Sequence, residues 1–222
     1  MTIEFETVMS GSDQPLVEVI QRVDAVLSKT ERLGSGREER GLQFPRQLSY
    51  WIVDRNEDWQ QEEFTLQSAL SAAHSWRGFA GQLNYGDFYL DYVIENHDRG
   101  FLRCLVSITN KSLETVYRED ISLFYSILLR LATGCQAQAG IGAYEVPSDL
   151  DSEEMVKLFS LPSFDAANRF EWGFVSTQLI SRDNIARLAE KRFAFHEQFS
   201  YWFLVQIDTL ETWKDVYGSE GA

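Results

Sequence analysis

Three histidines, two cysteines and a surplus of carboxylates are the side chains of this chain that could do chemistry, and their spacing decides which chemistry is open. His74, His97 and His196 form neither an HxH nor an HxxxH pair, so a zinc site would need ligands gathered from distant segments. Cys104 and Cys135 lie far apart in sequence without a CxxC motif; in a reducing compartment both stay thiols and serve as small core hydrophobes. No serine has a glycine elbow or a partnered histidine, and Gly34-Ser35-Gly36 reads as flexible loop. Asp149-Leu150-Asp151-Ser152-Glu153-Glu154 begins like a calcium loop, but Glu154 and Ser160 stand where that loop requires glycine and a bidentate glutamate. The same acids suit the N-terminus of a short helix, where capping and the helix dipole favour negative charge. Asp87 with Asp91, and Asp91 with Glu95, share a strand face, yet four residues along a strand separate them by about 13 Å, too far for a shared proton. These spacings predict no catalytic residue, no metal and no cofactor.

The charge balance points elsewhere. Asp and Glu outnumber Lys and Arg by 34 to 20, for a net charge of -14 over 222 residues that are also 14% aromatic. The excess is shared by both halves of the chain, so neither looks like a basic nucleic-acid arm, and the net charge repels a phosphate backbone. Met1–Ser10 carries Glu4 and Glu6 in place of a basic region followed by an apolar run, which does not fit a secretory signal. No apolar window approaches the roughly 20 residues of a membrane span. The expectation is a cytoplasmic protein that binds neither membrane nor nucleic acid.

Periodicity sets out the elements that must position these groups. Residues 3–8 alternate as a strand, and Pro15 opens a helix in which Leu16, Val19, Ile20, Val23 and Leu27 form one apolar stripe. Glycines, Pro45 and mixed charges make 34–46 a loop; 48–54 is rich in aromatic and β-branched residues and reads as a buried strand. A helix is expected over Glu62–Trp76, then a hairpin of 87–95 and 101–109 with Phe88, Leu90, Tyr92 and Ile94 on one side and Asp87, Tyr89, Asp91, Val93 and Glu95 on the other. Leu102, Cys104, Val106 and Ile108 face inward on its second strand. A long helix over 119–135, strands at 138–146 and 169–177, a short helix at Ser152–Phe159, a helix capped by Asp183 and an aromatic hairpin from Phe193 to Val205 complete the order. This succession predicts an α+β fold: a mixed, mainly antiparallel sheet with helices packed on one face, in a single domain over 1–217 followed by a short tail. The first strand and helix lack the glycine spacing of a doubly wound nucleotide-binding fold.

Acids also cluster in sequence without intervening bases. Glu57, Asp58, Glu62 and Glu63 lie between Arg55 and Arg77; Glu145, Asp149, Asp151, Glu153 and Glu154 between Arg130 and Lys157; the hairpin strand adds Asp87, Asp91, Glu95 and Asp98. Rings accompany them at Trp59, Tyr89 and Tyr144. Aromatic anchors among carboxylates suit a basic protein surface, so Glu57, Asp58, Trp59, Asp87, Tyr89, Asp91, Glu95, Glu145, Asp149 and Asp151 are the candidate partner-binding residues. The alternatives are a small-molecule enzyme with a pocket of rings and carboxylates from separate strands, and a secretion adaptor or chaperone.

With Tyr50-Trp51-Ile52-Val53-Asp54, the acidic pair Glu62-Glu63 and the Trp172 strand in FEWGFVST, the chain resembles a bacterial immunity protein, the inhibitor carried beside a polymorphic or type VI secreted toxin, and specifically immunity protein family fifty-two. That resemblance implies a cognate toxin as partner, usually a nuclease, occupied or distorted by the inhibitor. No inhibitory residue carries over position by position.

Overall fold

The computed structural model describes residues 4–27, 50–53, 59–84, 89–144, 146, 149–160 and 170–207, the strands at 50–53 and 59–64 by their backbone. Strand β1 (Glu4–Ser12) leads through Pro15 into helix α1 (Leu16–Leu27), whose buried residues are the five of the apolar stripe. Strands β2 (Tyr50–Val53) and β3 (Trp59–Phe64) precede helix α2 (Leu66–Ala72) and a 3-10 turn at Ala73–Ser75. Strands β4 (Gly78–Asn84), β5 (Tyr89–His97) and β6 (Phe101–Thr109) run into helix α3 (Asn110–Cys135). Strand β7 (Ala137–Ala143), helix α4 (Ser152–Leu158), strand β8 (Trp172–Ser176), helix α5 (Arg182–Arg192) and strands β9 (Phe193–Gln198) and β10 (Tyr201–Gln206) follow.

All ten strands join one sheet in the order β3-β2-β4-β5-β6-β1-β7-β8-β10-β9, antiparallel at every described pair. The α+β class and the antiparallel sheet are as the sequence predicts. Because successive side chains on a strand point to opposite faces, the register sorts every strand into two sets. On the first face, Met9, Phe79, Ile94, Cys104, Trp172, Phe174 and Phe203 pack under α1, α2 and α3. Two glycines of β7 make that packing possible: a Cβ at Gly142 would overlap the Trp172 indole, and one at Gly140 the Phe174 ring. The Trp172 indole then donates to Thr7 Oγ1 at 3.0 Å, so a buried polar atom is satisfied.

On the second face, Val8, Ile141, Leu204 and Trp202 pack with Met155 and Phe159 of the α4 segment and Ile185 and Leu188 of α5. The helices therefore cover both faces, where the sequence suggested one. Their short length hides this: α4 and α5 bury only a few residues each, too few to show a stripe.

Four local elements differ from the sequence reading. Strand β4, which joins β2 to β5 in the sheet, answers to no element expected from the sequence. Residues 62–64, expected to begin a helix, belong instead to strand β3, which pairs with β2 from Tyr50↔Phe64 to Val53↔Trp59, and the helix starts only where Thr65 accepts from the Ser68 N–H. Helix α3 begins nine residues before 119, capped by Thr109 on the Ser112 N–H. Ser181 caps α5, with Asp183 inside its first turn. The predicted loop at 34–46 and tail at 218–222 lie outside the described residues.

Candidate functional site

Of the candidate residues, Tyr89, Asp91 and Glu95 share one sheet face, spread along β5. All three project from β5 to the second face of the sheet, opposite buried Leu90, Tyr92 and Ile94. Tyr89 is 41% exposed. Asp91 accepts from the Gln82 side chain at 2.8 Å, and Glu95 accepts from Arg103 Nε at 2.9 Å across the β5–β6 pair. The Glu95–Arg103 ion pair is largely shielded, with side chains 14% and 23% exposed.

Asp149 and Asp151 lie elsewhere, beside the β5–β6 turn. There Arg99 donates to the Asp149 carbonyl at 2.7 Å and bridges Asp151 and Glu154 at 3.0 and 3.2 Å. Asp151 and Glu154 also form a capping box at the start of α4, each side chain accepting from the other's backbone N–H at 2.9 Å. Of the acids that looked like a calcium loop, Asp151 and Glu154 are helix-capping groups. Trp59 lies on edge strand β3. Glu57, Asp58, Asp87 and Glu145 lie outside the described residues, as does the Trp59 side chain.

The stretches that were free of bases in sequence are not so in space. Arg103 stands opposite Glu95 in the register, Arg99 reaches fifty residues to α4, and Arg77 meets Asp98 at 2.7 Å. Sequence separation conceals each of these pairs. What survives on the outer face of β5 is a ring, Tyr89, and a carboxylate, Asp91, held by a neutral amide.

Register also assembles a row that sequence reasoning missed. On the second face Gln82 opposes Asp91, Asp91 opposes Ser107, Ser107 opposes Glu6, and Glu6 opposes Ala143. The Glu171 N–H bonds the Gly142 carbonyl and the Gln206 N–H bonds the Glu171 carbonyl, so Glu171 and Gln206 extend the row. Carboxylates thus recur at every second strand, about 10 Å apart by strand spacing. The next row along the strands is apolar: Ala80, Val93, Leu105, Val8 and Ile141. The only signal in the sequence was single acids in otherwise apolar strands, such as Glu171 in Phe170-Glu171-Trp172.

Burial sets the electrostatics. Desolvation raises the Glu171 carboxyl above its ordinary pKa and lowers that of the His196 imidazole, the latter opposed by a hydrogen bond with Gln198. Cys104 and Cys135 are buried hydrogen-bonding neighbours despite their separation in sequence, and that bond, with burial, raises the Cys104 thiol. Among the described residues no group of three or more His, Cys, Asp or Glu is placed to hold a metal ion, and no helix is long and apolar enough to cross a membrane.

No protein-family model matches the chain, immunity protein family fifty-two included, and no curated protein matches it either. Among solved structures the chain is similar to the one titled Pseudomonas aeruginosa T6SS protein PA0821, at 11% identity and a TM-score of 0.47, over 92% of this chain and 68% of that one.

Proposed function

We propose that this chain is a cytoplasmic immunity protein that binds and neutralises a cognate cationic toxin of a type VI or related secretion system, a nuclease, without catalysing a reaction itself. The observation that carries the reading is the placement of exposed Tyr89 beside Asp91 on one sheet face of a protein with net charge -14. A nuclease presents a basic cleft to phosphate, which an acidic protein reaches quickly by electrostatic steering and then blocks. Tyr89 supplies the amphipathic ring that anchors such contacts, and Asp91, whose described partner is an uncharged amide, is the group best placed to meet Lys or Arg.

Co-expression with the toxin encoded next to this protein's gene tests the reading. The protein is expected to restore growth and to purify with the toxin as a one-to-one complex. Asp91→Lys with Tyr89→Ala should slow association by on the order of tenfold at low salt, a difference that shrinks as salt screens the charge. Absence of rescue by the wild-type chain would defeat the reading; equal association by the double variant would move the contact away from β5.

A further inference from the structure

The turn between β9 and β10 is built against the preferences of its residues. Phe199 and Ser200 both adopt positive φ, 51° and 65°, in a two-residue hairpin turn closed by Gln198↔Tyr201, a conformation that asparagine and glycine adopt readily and a bulky ring does not. The third non-glycine residue with positive φ among those described, Gln136, lies at the same end of the sheet, where α3 passes into β7. Hydrogen bonds hold this end rigid: the Thr177 N–H donates to the Ser200 carbonyl at 3.0 Å, the Tyr201 hydroxyl to the Ala137 carbonyl at 2.9 Å and the Trp202 indole to the Ile180 carbonyl at 2.9 Å. Buried Arg130 meets the Phe199 ring 5.4 Å from its centroid, yet Phe199 stays 37% exposed and Leu179, in the adjoining turn, 46%.

An Asn-Gly turn would form the same hairpin with less strain, so what Phe199 adds is an apolar ring at the surface. The exposed residues around it, Thr133, Gln136, Gln178, Leu179 and Ser200, are all uncharged, on a molecule of net charge -14. Charged Asp13, Arg182 and Glu197 stand at the border and include both signs. We infer that this tip is where two copies of the chain pair, across a two-fold axis with Phe199 and Leu179 of each copy at its centre. Charge selects this occupant. Two bodies of net charge -14 repel over most of their surfaces, and the tip lets them meet without opposing carboxylates, whereas a cationic partner finds no counter-charge there. Two turns and a helix end make a contact below about 1,200 Å², so the pair is weak and concentration-dependent. Register puts the tip at the opposite end of the strands from Tyr89, and pairing therefore leaves the outer face of β5 open. Pairing does not depend on the function proposed above.

Sedimentation velocity on the full chain, from about 10 µM to about 1 mM, tests the pairing over a range suited to so small a contact. Dimer should grow with concentration and form more readily in about 0.5 M than in about 0.05 M sodium chloride, because salt screens the repulsion between acidic bodies. Phe199→Asn, which suits the turn and removes the ring, should weaken pairing by about tenfold or more without lowering the melting temperature, and Leu179→Ser should weaken it likewise. Ser200→Gly, which relaxes the backbone and keeps the ring, should pair like the parent and melt about 2 °C higher. A chain that stays monomeric at the highest concentration in both salts overturns the inference, as does a dimer that salt dissolves or that Phe199→Asn leaves intact. A Phe199→Asn variant that melts several degrees lower would also overturn it, since the ring would then be a packing group.

Discussion

The two faces of the sheet are made by the same ten strands and differ in almost everything else. The first face is nearly continuous: from Phe79 on β4 to Phe203 on β10 its buried residues are apolar but for a few such as Thr7, and they pack with α1, α2 and α3. The second is banded, with a carboxylate row, an apolar row and a row that is charged at Glu95 and Arg103 but apolar at Val175 and Trp202. The contrast teaches that one pleat can give a sheet two unlike faces: the first is almost wholly core, whereas the second combines a smaller core under α4 and α5 with a row of carboxylates.

Substitutions can break or sharpen that contrast. The largest effect is expected at Gly142, where a side chain would drive into Trp172 and Thr7 on the first face. Gly142→Val should lower stability by about 4 kcal/mol or more, read as loss of soluble protein or a collapsed urea midpoint. Next, Arg103→Ala leaves shielded Glu95 without its counter-ion and should cost about 1 to 3 kcal/mol in urea unfolding. Lys157→Ala breaks the exposed pair with Glu153 on α4 and should leave the urea midpoint unchanged, because solvent screens both groups. If Lys157 mattered as much as Arg103, shielding would not be what distinguishes the pairs.

One effect has the opposite sign. Because burial raises the Glu171 pKa, the folded chain holds a proton that the unfolded chain has already released, so stability falls as pH rises from the ordinary carboxylate value of 4.5 through the raised one. Glu171→Gln removes that loss. The variant should melt about 2 °C higher than the parent at pH 7 and together with it below about pH 4. A variant less stable at pH 7 would mean that Glu171 is held by interactions stronger than its desolvation.

Much of the first face was legible in the sequence, because it depends on local periodicity. The stripe of α1 and the inward residues of the β5–β6 hairpin follow from spacing alone. Edge strand β3 was not legible: Trp59-Gln60-Gln61-Glu62-Glu63-Phe64 has no alternation, and its pairing with β2 decides its form. Nor was the Phe199-Ser200 turn, where two residues without the usual glycine or asparagine adopt positive φ to join β9 and β10. The candidate site was legible only along β5. Its extension through Glu6 to Glu171 needs strands distant in sequence to lie side by side, and no one-dimensional pattern encodes that neighbourhood.

Strand β1 gives the architecture a seam. Within the sheet it joins the block β2 to β6 with the block β7 to β10, through ladders to β6 on one edge and β7 on the other. A peptide copying residues 4–12 would therefore be a rational competitor, able to hold the two blocks apart while each is still unjoined. A chain lacking those residues would add the raw edges of β6 and β7 to those that β3 and β9 already form, inviting self-association in place of orderly unfolding.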